Sequence, residues 1–269
     1  MMDVVVAQRI NAERLVLLGW SRAILLQMAH PLVAAGVVDH SHFRAGARVA
    51  VARLRGTIRS MLSLGFGDSA DAARSIAAIR AIHTRVHGTL RTPTGAFPAG
   101  TRYSAEDPAL VLWVHATYLE SVLIVYERLV SAVPQADRDA YCEEAAGTAI
   151  ALGARPEDVP RSWAALERYL ETEYASGRIA VGPDARLISD AVLFPPLSLV
   201  TGPFAWINRL VTVGLLPAAL RDQYRYRWDD ARERQLTRTL SALRAMRSTL
   251  PRAIAWWPKA RRRPQPSAG

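Results

Sequence analysis

The stretch from Asp107 to about Val130 constrains the fold most. Asp107-Pro108 places a capping residue before a proline at the first helical position, and the helix it opens is apolar around most of its circumference. Such a helix belongs at the centre of a domain, covered by others. Helical spacing governs the rest of the chain as well. Further helices are expected from about Ala7 to Met28, stopping before Pro31, and roughly from Gly46 to Leu64, where Val51, Leu54, Ile58 and Met61 fall on one face. Others run from Ser69, as N-cap, to Gly88, then over Asp137 to Leu152, Arg161 to Ala175, Asp184 to Leu193, and about Asp229 to Leu250. Alternating strands of useful length are absent, and the longest irregular connection is Thr89 to Glu106. No repeat and no separating linker is visible. The expectation is a single all-α domain over residues 1–251 and a basic, disordered tail over 252–269.

Half of the 269 residues are hydrophobic and 22% are charged, which excludes disorder, collagen and a simple coiled coil. A chain of this length buries a core without a metal or disulfide staple. Its one cysteine, Cys142, excludes an internal disulfide framework and a cysteine-based zinc cage, and is compatible with a reducing compartment. The net charge is +10, and half of that excess lies in residues 252–269, which hold five bases and no acid. Lys259 is the sole lysine, so nearly all the positive charge is guanidinium. A GC-rich coding bias would give the same richness in arginine, so it carries little functional weight.

No export signal is visible, because Arg9, Glu13 and Arg14 follow Met1 to Val6 at once. No run of about twenty uninterrupted apolar residues occurs. The nearest approach, Leu197 to Leu220, is broken by Pro203, Asn208, Arg209 and Pro217, and suits a membrane surface better than a crossing. A cytoplasmic protein is expected, with peripheral membrane contact left open.

There is no Gly-rich phosphate loop, no Gly-x-Ser-x-Gly elbow and no His-Glu-x-x-His pair, so the candidate chemistry lies in the histidines. Ile76, Ile79, His83 and Val86 fall at steps of three, four and three, so His83 interrupts an apolar stripe and faces inward. Burial disfavours the charged imidazole and leaves a neutral lone pair. His87 would follow one turn later on nearly the same face, and Arg80 precedes by one turn. A neutral imidazole in an apolar pocket suits an iron ligand, and a flanking arginine suits a carboxylate such as a haem propionate. A core histidine bonded to a carbonyl fits the same spacing.

His115, on the central helix, reads as a satisfied buried histidine, and His30, before Pro31 at a helix end, as a cap or a residue supporting a ligand rather than a ligand itself. Asp39, His40 and His42 form a polar cluster that fits either a metal or a solvated turn. Arg53 and Thr57, four apart, share a helical face and suit an anion or a bound oxygen species, or else a plain surface. Trp256-Trp257-Pro258-Lys259 with Arg261 to Arg263 mixes aromatic and basic groups that suit an anionic membrane or a solvated tail. Three readings follow: a haem oxygenase, a non-haem metal enzyme chelating an ion such as zinc through His83 and His87, and a non-catalytic helical protein at a membrane surface. Nucleic acid is not an expected partner, since no basic helix with base-reading side chains stands out.

Several segments, in order, resemble one family. They are Gln27-Met28-Ala29-His30-Pro31, Gly36 through Phe43, Arg53 to Thr57, Phe66-Gly67, Arg80-Ala81-Ile82-His83, Val86-His87-Gly88, Tyr103 through Pro108, and Trp113-Val114-His115-Ala116. Gly153 with Pro160, Phe194-Pro195-Pro196, and Leu216-Pro217 to Arg221 extend the likeness to about residues 9–251. Together they are similar to the latex-clearing proteins, or rubber oxygenases, and the MpaB-type oxygenases. The resemblance implies an all-helical domain built around a buried haem b, using O2 on hydrophobic, often isoprenoid and alkene-containing, substrates. It places His83 as the axial ligand of the haem iron with Arg80 one turn before it, Arg53 and Thr57 in the distal pocket, and His115 at a histidine of the central helix whose role is structural or behind the ligand. With His87, taken from its spacing, these complete the cofactor-binding candidates. Where latex-clearing proteins have a lysine just before the distal threonine, this chain has Gly56, which implies a more open distal side. No glutamate stands at the position of the family's proposed base, and Asp39 is the nearest acid.

Overall fold

The structure, a computed structural model, describes residues 5–40, 47–194 and 202–261; for 47–55 it describes the backbone alone. The N-terminal run expected as one helix is broken. Helix α1 (Val6–Asn11) ends at Ala12, a 3-10 turn covers Arg14–Val16, and α2 (Leu17–Met28) follows. Glu13 causes the break: its backbone is extended and the residue is buried, its carboxylate accepting bonds from Arg247 and Trp256. Helix α3 (Pro31–His40) begins where the sequence pointed to a stop. His30 Nδ1 accepts from the Leu32 amide at 3.3 Å, so the expected capping role holds, with Pro31 at the first helical position.

Helices α4 (Ala47–Phe66) and α5 (Ser69–His83) form a hairpin. Gly67 permits the tight link, since a Cβ there would lie 2.4 Å from the Ser63 carbonyl oxygen. Asp68, rather than Ser69, caps α5, its carboxylate accepting from the Asp71 amide at 2.6 Å. The helix ends at His83, not at Gly88. Strand β1 (His87–Thr89) then pairs antiparallel with β2 (Arg102–Ser104), His87 lying opposite Ser104; these are the only named strands among the described residues.

Asp107 caps α6 (Pro108–Leu129) by accepting from the Ala109 amide, as the Asp-Pro pair predicts. There follow α7 (Gln135–Leu152), closed by left-handed Gly153, α8 (Trp163–Ala175) capped by Ser162, and α9 (Pro183–Leu193). Helix α10 (Gly202–Gly214) and α11 (Ala218–Gln223) occupy most of the described part of the apolar segment expected near a membrane. Helix α12 (Asp230–Thr249), capped by Asp229, is succeeded by two short helices, α13 (Arg252–Ala255) and α14 (Pro258–Arg261). The expectation of a loose tail from residue 252 is therefore corrected as far as Arg261, where the chain packs against the fold; 262–269 lie outside the described residues.

The core is the packing of α6 on α2, flanked by α7, α8 and α12. Leu25, Leu26, Trp113, Leu119, Val122 and Leu123 are almost wholly buried there. The two helix backbones approach closely at Gly19, where a Cβ would come 2.6 Å from the Ser121 carbonyl oxygen. Arg22 is buried in the same seam, with Nη1 donating to Glu120 and Ser121 and Nε to the Leu215 carbonyl. By length and composition α6 could cross a membrane, and it comes nearer to doing so than Leu197 to Leu220; 67% of its most apolar window is buried inside the fold. The α2 and α3 pair, bent by 104°, passes the same test as a broken span.

Candidate active site

Helix α5 carries the expected stripe in a half-covered form. Ile76, Ile79 and His83, with Val86 just beyond, are all half-buried, and no residue of α5 is fully buried. Off the stripe, Ile82 is 56% exposed. His83 Nδ1 is nonetheless sealed from solvent and has no hydrogen-bond partner among the described residues. Burial pushes the His83 pKa below its ordinary value, Glu106 opposes that shift and Arg80 adds to it. The ring is therefore neutral at physiological pH, as an iron ligand must be. Arg80 is exposed, and its Nη1 reaches the Ala151 carbonyl at 3.4 Å, a long bond that ties α5 to the end of α7.

His115 sits on α6. The residue keeps some exposure, but its Nε2 is sealed and has no partner among the described residues, and burial lowers its pKa to about 4. The satisfied core histidine expected there is thus unsatisfied at one nitrogen. Helix α7 packs against both α5, which ends in His83, and α6, which carries His115. Thr57 is exposed on α4, which packs along α5; Arg53 shares that helix, and its side chain lies outside the described residues, as does all of His42.

His87 is a correction. Because α5 ends at His83, His87 falls on β1, exposed, and the one-face helical pair that would chelate an ion does not form. Among the described residues no group of three or more His, Cys, Asp or Glu could hold a metal ion. Asp39 is also recast. Its carboxylate accepts from the Tyr103 hydroxyl and from Arg91 Nη2, each at 2.6 Å, and His40 Nε2 donates to the His87 carbonyl at 3.1 Å. The end of α3 thereby pins the small sheet, and Gly88 leaves room for it, since a Cβ there would meet the Tyr103 hydroxyl at 2.5 Å. Tyr103 and Arg91 are the partners that sequence reasoning missed; neither sits at a spacing from Asp39 that marks it. The Cys142 thiol is buried and pushed up to about 12, so it offers no nucleophile.

The sequence model of the ER-bound oxygenase mpaB/B′ and rubber oxygenase catalytic domain matches residues 7–245. The chain belongs to that family. This oxygenase-family domain is also similar to two uncharacterized proteins, one of Mycobacterium tuberculosis and one of Mycobacterium bovis. Each is 27% identical over 249 residues, which cover 87% of this chain and 89% of the relative. No solved structure matches it significantly. The family match takes in α1 through most of α12, with His83, His115 and the α4–α5 hairpin, and stops short of Arg247 and everything after it.

Proposed function

We propose that this oxygenase-family domain binds haem b through His83 and acts with O2 on a hydrophobic substrate of the isoprenoid, alkene-containing kind. The observation that carries the reading is the His83 ring: neutral, with one nitrogen sealed and unpartnered, on an apolar stripe that its neighbours cover only by half. A buried polar atom without a partner costs about 1–3 kcal/mol, so the ring gains from any movement of the hairpin that gives Nδ1 a partner. The donor set also fits a porphyrin iron better than a bare ion, since one inward imidazole serves the first while the second needs a cluster.

Haem would supply the oxygen chemistry, and the chain's own groups supply the setting. His83 offers the single nitrogen ligand. Arg80, one turn earlier and exposed, can swing to a propionate carboxylate. His115, held neutral, offers a hydrogen-bonding nitrogen without bringing a charge. Arg53 and Thr57 on α4 would donate toward negative charge developing on oxygen, and Gly56 leaves the space beside them open. Ile76, Ile79 and Val86 keep that side of the site apolar, which excludes water and suits a hydrocarbon. Asp39, shared between Tyr103 and Arg91, serves as an anchor and not as the proton-transferring acid.

A peripheral membrane contact is a separate proposal, and it rests on Leu187, Phe194, Phe204 and Trp206, which α9 and α10 leave exposed. Vesicle pelleting of the wild type against a Phe204→Ser, Trp206→Ser variant tests it, equal pelleting being the adverse result. For the haem reading, the purified protein is extracted with alkaline pyridine and its metals are measured. Iron in near-equal amount to protein, with a haem b pyridine spectrum, is expected. A colourless protein carrying zinc would overturn it.

A further inference from the structure

The hairpin that carries Thr57 and His83 is thinly covered over its described side chains. Its α5 buries no residue and the described part of α4 buries only Phe66. Helix α4 packs mainly on α5, α1 and α14, and α5 mainly on α4 and α7. One of those supports comes from outside the family match: the segment Arg252–Arg261 that follows α12.

That segment is fastened at two points. At the first, Glu13 accepts from Arg247 Nε at 2.7 Å, from Arg247 Nη2, and from Trp256 Nε1 at 2.8 Å. Glu13 and Trp256 form an antiparallel bridge, the Trp257 amide donates to the Ala12 carbonyl at 3.0 Å, and the Arg14 guanidinium lies over the Trp257 ring. A buried carboxylate with three charge-assisted or indole donors is a firm anchor. At the second point Lys259 Nζ donates to Asp71 Oδ2 at 3.1 Å and to Ser63 Oγ at 3.3 Å. Ser63 is in the last turn of α4 and Asp71 in the first turn of α5, so one ammonium bridges both arms of the hairpin at its bend. Asp71 also takes Arg74, and Lys259 with Arg74 holds its carboxyl below the usual carboxylate range.

We propose that residues 252–261 act as a clasp that holds the α4–α5 hairpin against the core. Lys259, through Asp71 and Ser63, is then a positioning residue for the helix that ends in His83. The clasp sets how often the half-covered face of α5 opens. Its link to catalysis rests on the haem reading above, whereas the clasp itself stands on the contacts alone.

Hydrogen exchange read by mass spectrometry on the full chain tests it without any cofactor. In Lys259→Ala, amides of 56–83 are expected to exchange about twofold to fivefold faster, the scale of losing one exposed ion pair, while α2 and α6 keep their wild-type rates. Lys259→Arg restores the slow rate. Removal of residues 251–269 has the larger effect, about tenfold or more, in the same peptides. Because Lys259 is the sole lysine, amine acetylation of the folded wild type should reproduce the alanine variant. Unchanged exchange in α4–α5, or equal acceleration in every helix, would overturn the clasp. Haem transfer to apomyoglobin then separates the two claims. Faster release from Lys259→Ala supports the link to His83, and faster hairpin exchange in a protein that binds no haem leaves the clasp and removes the haem reading.

Discussion

The α2–α6 seam and the α4–α5 hairpin are both pairs of packed helices, and they are held in opposite ways. In the seam, a glycine lets two backbones meet, and a buried arginine is spent on a carboxylate, a hydroxyl and a carbonyl. In the hairpin, apolar side chains stay half-covered, and the fastening at the bend is one lysine. The seam carries the stability, while the hairpin carries the candidate chemistry on a surface that can still receive something. Low local stability at a ligand-binding element is a common division of labour in proteins.

Mutations can break that contrast. The largest effect is expected for Arg22→Ala, which strands Glu120 and should lower the unfolding free energy by about 3–5 kcal/mol in urea titration. Next comes pH. His30 and His115 are both held near 4 by burial, so unfolded chains bind their protons first as pH falls. Their full contribution is present above about 6.5 and is lost between there and about 4, by about 3 kcal/mol for each group, in denaturation followed at several pH values. Gly19→Ala forces α2 off α6 and should cost about 1–3 kcal/mol with no change in hairpin exchange. Ile79→Ala should cost below about 1.5 kcal/mol in apo protein, because that side chain is only partly buried. Should Ile79→Ala prove as damaging as Arg22→Ala, the hairpin is part of the core and the contrast fails.

Much of the scaffold was legible. Asp107-Pro108, the all-round apolar face after it, and the helical periods of α7, α8, α9 and α12 are local signals, and the structure places those elements within a few residues. What stayed hidden depends on partners far along the chain. Glu13 breaks the first helix because Arg247 and Trp256 reach it from the other end. Pro31 reads as a stop or a start according to whether His30 caps it. The end of α5 at His83 follows from the pairing of His87 with Ser104, which three-residue strands do not announce. Of the candidate site, the inward stripe of His83 and the shared helix of Arg53 and Thr57 were visible as spacing. The commitment of Asp39 to Tyr103 and Arg91, and the seating of Lys259 on the hairpin, were not.

The central claim is that one imidazole, His83, holds the cofactor while its near neighbour on β1 does not. The decisive measurement is the absorption spectrum and iron content of wild type, His83→Ala and His87→Ala, each loaded with hemin and freed of excess. The account predicts a sharp, ligated Soret band and near-equal iron in wild type and His87→Ala, and loss of both in His83→Ala. A normal spectrum and full iron content in folded His83→Ala would contradict it.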